Sequence, residues 1–124
     1  MFILDLTWYS KFNLGSIIKL LITEASRYRL RIPYTSRDYR NFENEKIDSG
    51  FINVLALPEG NRTFLKLNIV TQTGLLFECL FRCNPDIITY HSCVGFGLDR
   101  EQLLNNLVNW DEELKRIITI HLTA

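Results

Sequence analysis

From Phe51 to Val94 the chain runs as four apolar segments cut by turn residues: FINVLAL, PEGN, RTFLKLNIVT, QTG, LLFECLFRC, NPD and IITYHSCV. Short runs rich in β-branched and aromatic residues, punctuated by Gly, Pro, Asn and Asp, read as strands joined by tight turns. An antiparallel meander over about 51–94 is therefore expected. Within it Leu65, Leu67 and Ile69 alternate with Lys66, Asn68 and, further on, Gln72. That is the pattern of a sheet with one face in a core and the other in water. Something else in the chain must cover the apolar face.

Two flanking segments are suited to this. Ile17, Leu20, Leu21, Glu24, Ala25 and Tyr28 recur at helical spacing and predict a helix over about 15–27. After the Gly95-Phe96-Gly97 break, Asp99 followed three residues later by Gln102 forms an acid-type capping box. Leu103, Leu104, Leu107, Leu114, Ile117 and Ile118 then mark the apolar side of a second helix over about 100–119. The expected fold class is α+β: a four- to five-stranded antiparallel sheet with both helices packed on one face, in a single domain spanning 1–124. Two further pieces read as extended. Met1–Tyr9 is a strand or a tucked-in terminal segment. RYRLRIPY sets Arg27, Arg29 and Arg31 against Tyr28, Leu30 and Ile32 until Pro33 ends the alternation, as at a sheet edge. Residues 35–50 form a long polar connection, the kind that carries function or stays mobile.

Composition limits the function. The chain has 124 residues and 47% apolar side chains, enough for one core, and fourteen Lys plus Arg balance fourteen Asp plus Glu. No global field draws it to nucleic acid or to an anionic membrane. The apolar opening is interrupted by Asp5, and Ile17–Ile22 is far shorter than the roughly 20 residues of a bilayer span. With an odd number of cysteines and no leader-like start, a soluble cytoplasmic protein without a cofactor is expected.

All three cysteines and one of the two histidines fall between Cys79 and Cys93. Cys79, Cys83, His91 and Cys93 have the composition of a Cys3His zinc set. Their spacing opposes it, because residues four apart on a strand lie about 13 Å apart. Hairpin register decides the rest. A three-residue loop, Asn84–Asp86, opposes Cys79 to His91 and leaves Cys79, His91 and Cys93 as candidate ligands on one face. A four-residue loop, Asn84–Ile87, opposes Cys79 to Ser92 and sends His91 and Cys93 to the other face. Apolar matching favours the longer loop, so the cysteines of the first strand are expected in the core and His91 on the wetter side. A Cys93–His91 catalytic pair lacks an orienting third group.

The segment Arg27–Arg40 carries Arg27, Arg29, Arg31, Arg37 and Arg40 interleaved with Tyr28, Tyr34 and Tyr39. Arginine and tyrosine together suit hot spots of protein interfaces and also the stacking and phosphate contacts of nucleic-acid binding. As a plain solvated face they would pair with Glu43, Glu45 and Asp48. Trp110, beside the acidic turn Asp111-Glu112-Glu113, is a further candidate anchor, or else a cover for the sheet edge. The first expectation is a small protein-binding protein of the inhibitor, immunity or chaperone type. It would neutralise or cap a partner, such as a toxin or effector, through an acidic surface on that partner. A nucleic-acid-binding module using residues 27–40 is the alternative, and a Cys/His enzyme or zinc protein the third. Free sheet edges allow a monomer or an edge-paired homodimer.

Overall fold

The computed structural model describes residues 2–7, 12, 14–15, 17–26, 29–35, 49–71, 74–85, 87–97 and 99–123. Strand β1 (Phe2–Asp5) is followed by helix α1 (Ile17–Ala25), β2 (Leu30–Thr35), β3 (Ser49–Glu59), β4 (Arg62–Thr71), β5 (Gly74–Cys83), β6 (Ile88–Gly95) and helix α2 (Arg100–Thr123). The strands form one antiparallel sheet in the order β1-β6-β5-β4-β3-β2. The fold is α+β, with six strands rather than four or five, because both flanking extended segments join the meander at its two edges. The expected 35–50 connection lies largely outside the described residues; its last two positions open β3.

The period-two pattern builds the inner face directly. Ile52 and Val54, Leu65, Leu67 and Ile69, and Phe77, Cys79 and Phe81 are fully buried on three successive strands. Helix α1 packs on β3, β4 and α2, and α2 reaches β2. Both helices share one core with the inner face. Helix α1 buries Ile17, Ile18, Leu21 and Ala25. Helix α2 continues four residues beyond the expected end and buries Leu103, Leu107, Trp110, Leu114, Ile117 and Ile118. Its start is held by the expected box: the Gln102 amide donates to Asp99 Oδ1 at 2.8 Å, and the Asp99 amide donates to Gln102 Oε1 at 3.0 Å.

Two positions show why glycine is needed. The two-residue link Gly60-Asn61 joins Glu59 to Arg62, with Gly60 at φ +60, as the primed hairpin turns require. Gly50 serves a different purpose. A Cβ there would lie 2.0 Å from the Val70 carbonyl oxygen and 2.6 Å from Tyr34 Oη. The bare backbone at Gly50 leaves room for the Tyr34 hydroxyl to reach across β3 and donate to the Val70 carbonyl on β4 at 3.1 Å. Burial pushes the Tyr34 phenol up to about 12.

Two stability measurements check this packing. In urea unfolding, Tyr34→Phe should cost about 1 kcal/mol, the net value of one hydrogen bond. Gly50→Ala should cost more, about 2 kcal/mol or above, because the added methyl overlaps backbone that cannot move aside. At the helix start, Asp99→Ala should cost about 1 kcal/mol, and Asp99→Asn much less.

Candidate functional site: the open face of the sheet

With both helices on one side, no helix among the described residues covers the other face of the sheet, and the register aligns its side chains in rows. Arg31, Asn53, Asn68, Glu78, Val94 and Ile3 lie side by side across all six strands. Leu55, Lys66, Leu80, Ser92 and Asp5 form the next row, and Leu57, Phe64, Arg82 and Tyr90 another. Phe51, Leu55, Phe64, Leu80, Tyr90 and Val94 are half-buried, while Ile3 and Leu57 are exposed at 61% and 48%. The face is thus broadly apolar, with a few charges placed on it.

Those charges are organised. The Arg31 guanidinium sits 3.6 Å from the centre of the Phe51 ring, and Arg82 lies 5.4 Å from that of Tyr90. Lys66 is 3.8 Å from Glu78. Arg29, Asn53, Leu55, Lys66 and Asn68 line a shallow pocket of about 160 Å³. The Asn68 Oδ1 in it is buried without a hydrogen-bond partner. Among the described residues, Arg29, Arg31, Lys66 and Arg82 on this face are set against Asp5 and Glu78, with Glu59 and Arg62 opposed at the hairpin end. The Asp5 carboxyl is held below its ordinary range by hydrogen bonds from the Thr7 hydroxyl and amide. A protein with no net charge therefore carries a locally positive face.

Of the candidate partner-binding residues, Arg29 and Arg31 stand exposed on this face. Arg27, Arg37, Tyr39 and Arg40 lie outside the described residues, as do Glu43, Glu45 and Asp48. Tyr34 and Trp110 are core residues, at 5% and 1% exposure, packed edge to face with ring centres 5.3 Å apart. Trp110 also meets Phe77 at 6.5 Å. Both rings are turned into the core rather than toward solvent. The acidic turn is not a wholly solvated face either: Asp111 is buried and paired with Lys115 at 3.0 Å, and Glu113 pairs with Arg116. Of the residues missed by sequence reasoning, Phe51, Lys66, Asn68 and Arg82 were signalled by the same alternation that marked Leu65, Leu67 and Ile69 as core, whereas apolar matching assigned Tyr90 to the covered face and the pairing slip at Thr89 turns it outward.

The Cys79–Cys93 hairpin also differs from expectation. The loop is Asn84–Ile87, closed by the Asn84 amide donating to the Ile87 carbonyl at 2.9 Å, and Cys83 opposes Ile88 as the four-residue loop requires. One step later the pairing slips, because Thr89 is an extra residue in β6 and Arg82 opposes Tyr90. The Thr89 hydroxyl donates to the Arg82 carbonyl at 3.0 Å. This bulge turns His91 and Cys93 inward instead of outward, so that Cys79 faces Cys93 and Phe81 faces His91. His91 is buried, stacked on Phe81 with centres 5.7 Å apart, and its Nε2 has no partner. Among the described residues no group of three or more Cys, His, Asp or Glu is placed to hold a metal.

No protein-family model matches the chain, nor does any of the curated proteins or solved structures compared with it. Likewise, no helix among the described residues is long and apolar enough to cross a membrane.

Burial lowers the His91 pKa, opposed in smaller measure by Asp5 and by a hydrogen bond to the Phe12 backbone. The unfolded chain then binds more protons than the folded one just below the ordinary histidine value of about 6.5. Stability should hold above that pH and fall as the pH drops through it, levelling off below the depressed folded value. Urea midpoints measured between pH 5 and 8 for the wild type and for His91→Phe should diverge over this interval. Parallel curves would show that His91 is not the group responsible.

Proposed function

We propose that this is a small cytoplasmic protein-binding protein, of the inhibitor, immunity or chaperone type, and that it engages an acidic surface of its partner through the open face of the sheet. The observation that carries the reading is the combination on that face of half-exposed aliphatic and aromatic side chains with an excess of cations. Arginine beside aromatic rings is the composition of interface hot spots. The pocket between Arg29 and Lys66 offers two cations and two amides to a carboxylate projecting from the partner.

The same face could be imagined stacking nucleobases, and one feature favours protein over that. The Arg31 guanidinium already lies over the Phe51 ring, and Arg82 over Tyr90, so both ring faces are covered by cations of the chain itself. A carboxylate can pair with a guanidinium stacked in this way without displacing it.

The test uses charge reversal. A partner captured from the source cells is purified, and its affinity is measured for the wild type, for an Arg31→Glu/Arg82→Glu double variant and for Asn105→Glu on the exposed side of α2. The double variant should bind on the order of 100-fold more weakly, with the α2 variant close to wild type. Equal affinities for all three would overturn the reading. In parallel, retention of a single-stranded RNA homopolymer that weakens steeply with salt would replace it with the nucleic-acid alternative.

A further inference from the structure

We propose that Cys79 and Cys93 form a site of reversible disulfide modification that covalently joins β5 to β6. The register carries this inference. The two residues are directly opposed in the β5–β6 ladder, both on the inner face and both fully buried. Opposed residues of antiparallel strands have Cα atoms about 4.5 or 5.5 Å apart, and either value falls within the 4.4–6.8 Å that a disulfide spans. The two sulfurs lie 2.6 Å apart with no bond between them. Cys83 is placed differently. It faces Ile88 at the turn end of β5, about 13 Å along the strand from Cys79.

The pairing is a consequence of the bulge at Thr89. Without that extra residue Cys79 would face Ser92, and Cys93 would point to the open face. The slip of one residue both buries Cys93 and delivers it to Cys79.

The chemistry needs an oxidant, and a small-molecule disulfide of the glutathione class supplies it. One cysteine thiolate attacks the glutathione disulfide, releasing one glutathione thiol and forming a mixed disulfide. The second cysteine then attacks the protein sulfur of that bond and releases the second glutathione. The two cysteines lose two electrons and two protons, and the disulfide reagent is reduced to two thiols. In a reducing compartment the dithiol is the resting form. Because burial pushes the Cys79 thiol up and excludes solvent, exchange requires opening of the sheet. Strand β1 is four residues long and covers the outer edge of β6, with Leu4 opposite Cys93, so its release is the shortest route to the pair.

The full chain is unfolded in urea and refolded in buffers of fixed reduced to oxidised glutathione ratio, so that burial does not limit access. Thiols are then counted in denaturant, linked peptides are mapped by mass spectrometry, and Tm is recorded. In oxidising buffer the count should fall from three to one, with a Cys79–Cys93 peptide recovered, and Tm should rise by on the order of 10 °C relative to the reduced form. Cys83→Ala should preserve the linked peptide and the shift. Cys93→Ala and Cys79→Ser, made separately so that one failing to fold leaves the other, should abolish both. Three free thiols in the oxidised sample, a bond involving Cys83, or cysteines capped singly by glutathione would each overturn the proposal.

Discussion

The fold depends on sealing one apolar face of a six-stranded sheet, against which the two helices among the described residues are packed. Three adjacent strands each present a row of side chains with no exposure at all, and a nine-residue α1 cannot shield them alone. The remaining cover comes from α2 and from Leu6, Phe12 and Leu14 ahead of α1, with Phe12 stacked on Phe81. At about 1.5 Å per residue its 24 residues extend roughly 36 Å, against about 24 Å for six strands spaced by 4.8 Å. Buried residues recur along α2 from Leu103 to Ile118, two-thirds of its length. Trp110, near its middle, meets Tyr34 from β2 and Phe77 from β5, and Tyr34 in turn lies over Gly50 to reach Val70 on β4. One helix thereby ties together strands from the edge to the centre of the sheet.

Some of this was legible in the sequence because it is periodic. Alternation in RTFLKLNIVT assigned the two faces of β4, and the same alternation in RLRIPY placed Arg29 and Arg31 opposite Leu30 and Ile32. The Asp99/Gln102 box was legible because capping joins two side chains to backbone groups only three residues away. What was not legible was insertion. An extra Thr89 in β6 and an extra Leu76 in β5 each shift the pairing by one, and composition carries no mark of a single unpaired residue. His91 and Cys93 therefore lie on the face opposite to the one expected.

Trp110 and Tyr34 illustrate a different ambiguity. Aromatic residues near charges look alike in sequence whether they stand at an interface or in a core. The deciding signal was spacing: Leu103, Leu107, Trp110 and Leu114 fall four, three and four apart, the stripe of a buried helix face. The neighbouring Asp111 is buried at its edge, and pairing with Lys115 one turn on offsets the cost of removing its charge from water.

The edges of the sheet bear on how such a protein would meet another. A strand edge invites pairing with a second chain, which would make a homodimer the simplest outcome. Here the two outer strands resist it by means natural sheets use. Strand β1 offers only four residues, and β2 carries Pro33, which has no N–H to donate, next to the charged Arg31. The open face has no such device. Its guanidinium groups lie over the Phe51 and Tyr90 rings and leave Leu55, Leu80 and Val94 half-exposed between them. A partner approaching an edge strand would find a short or interrupted ladder. A partner approaching the face finds apolar area, guanidinium groups already oriented by their rings, and a small polar pocket. Association through the face is therefore the mode consistent with the function proposed for this sheet.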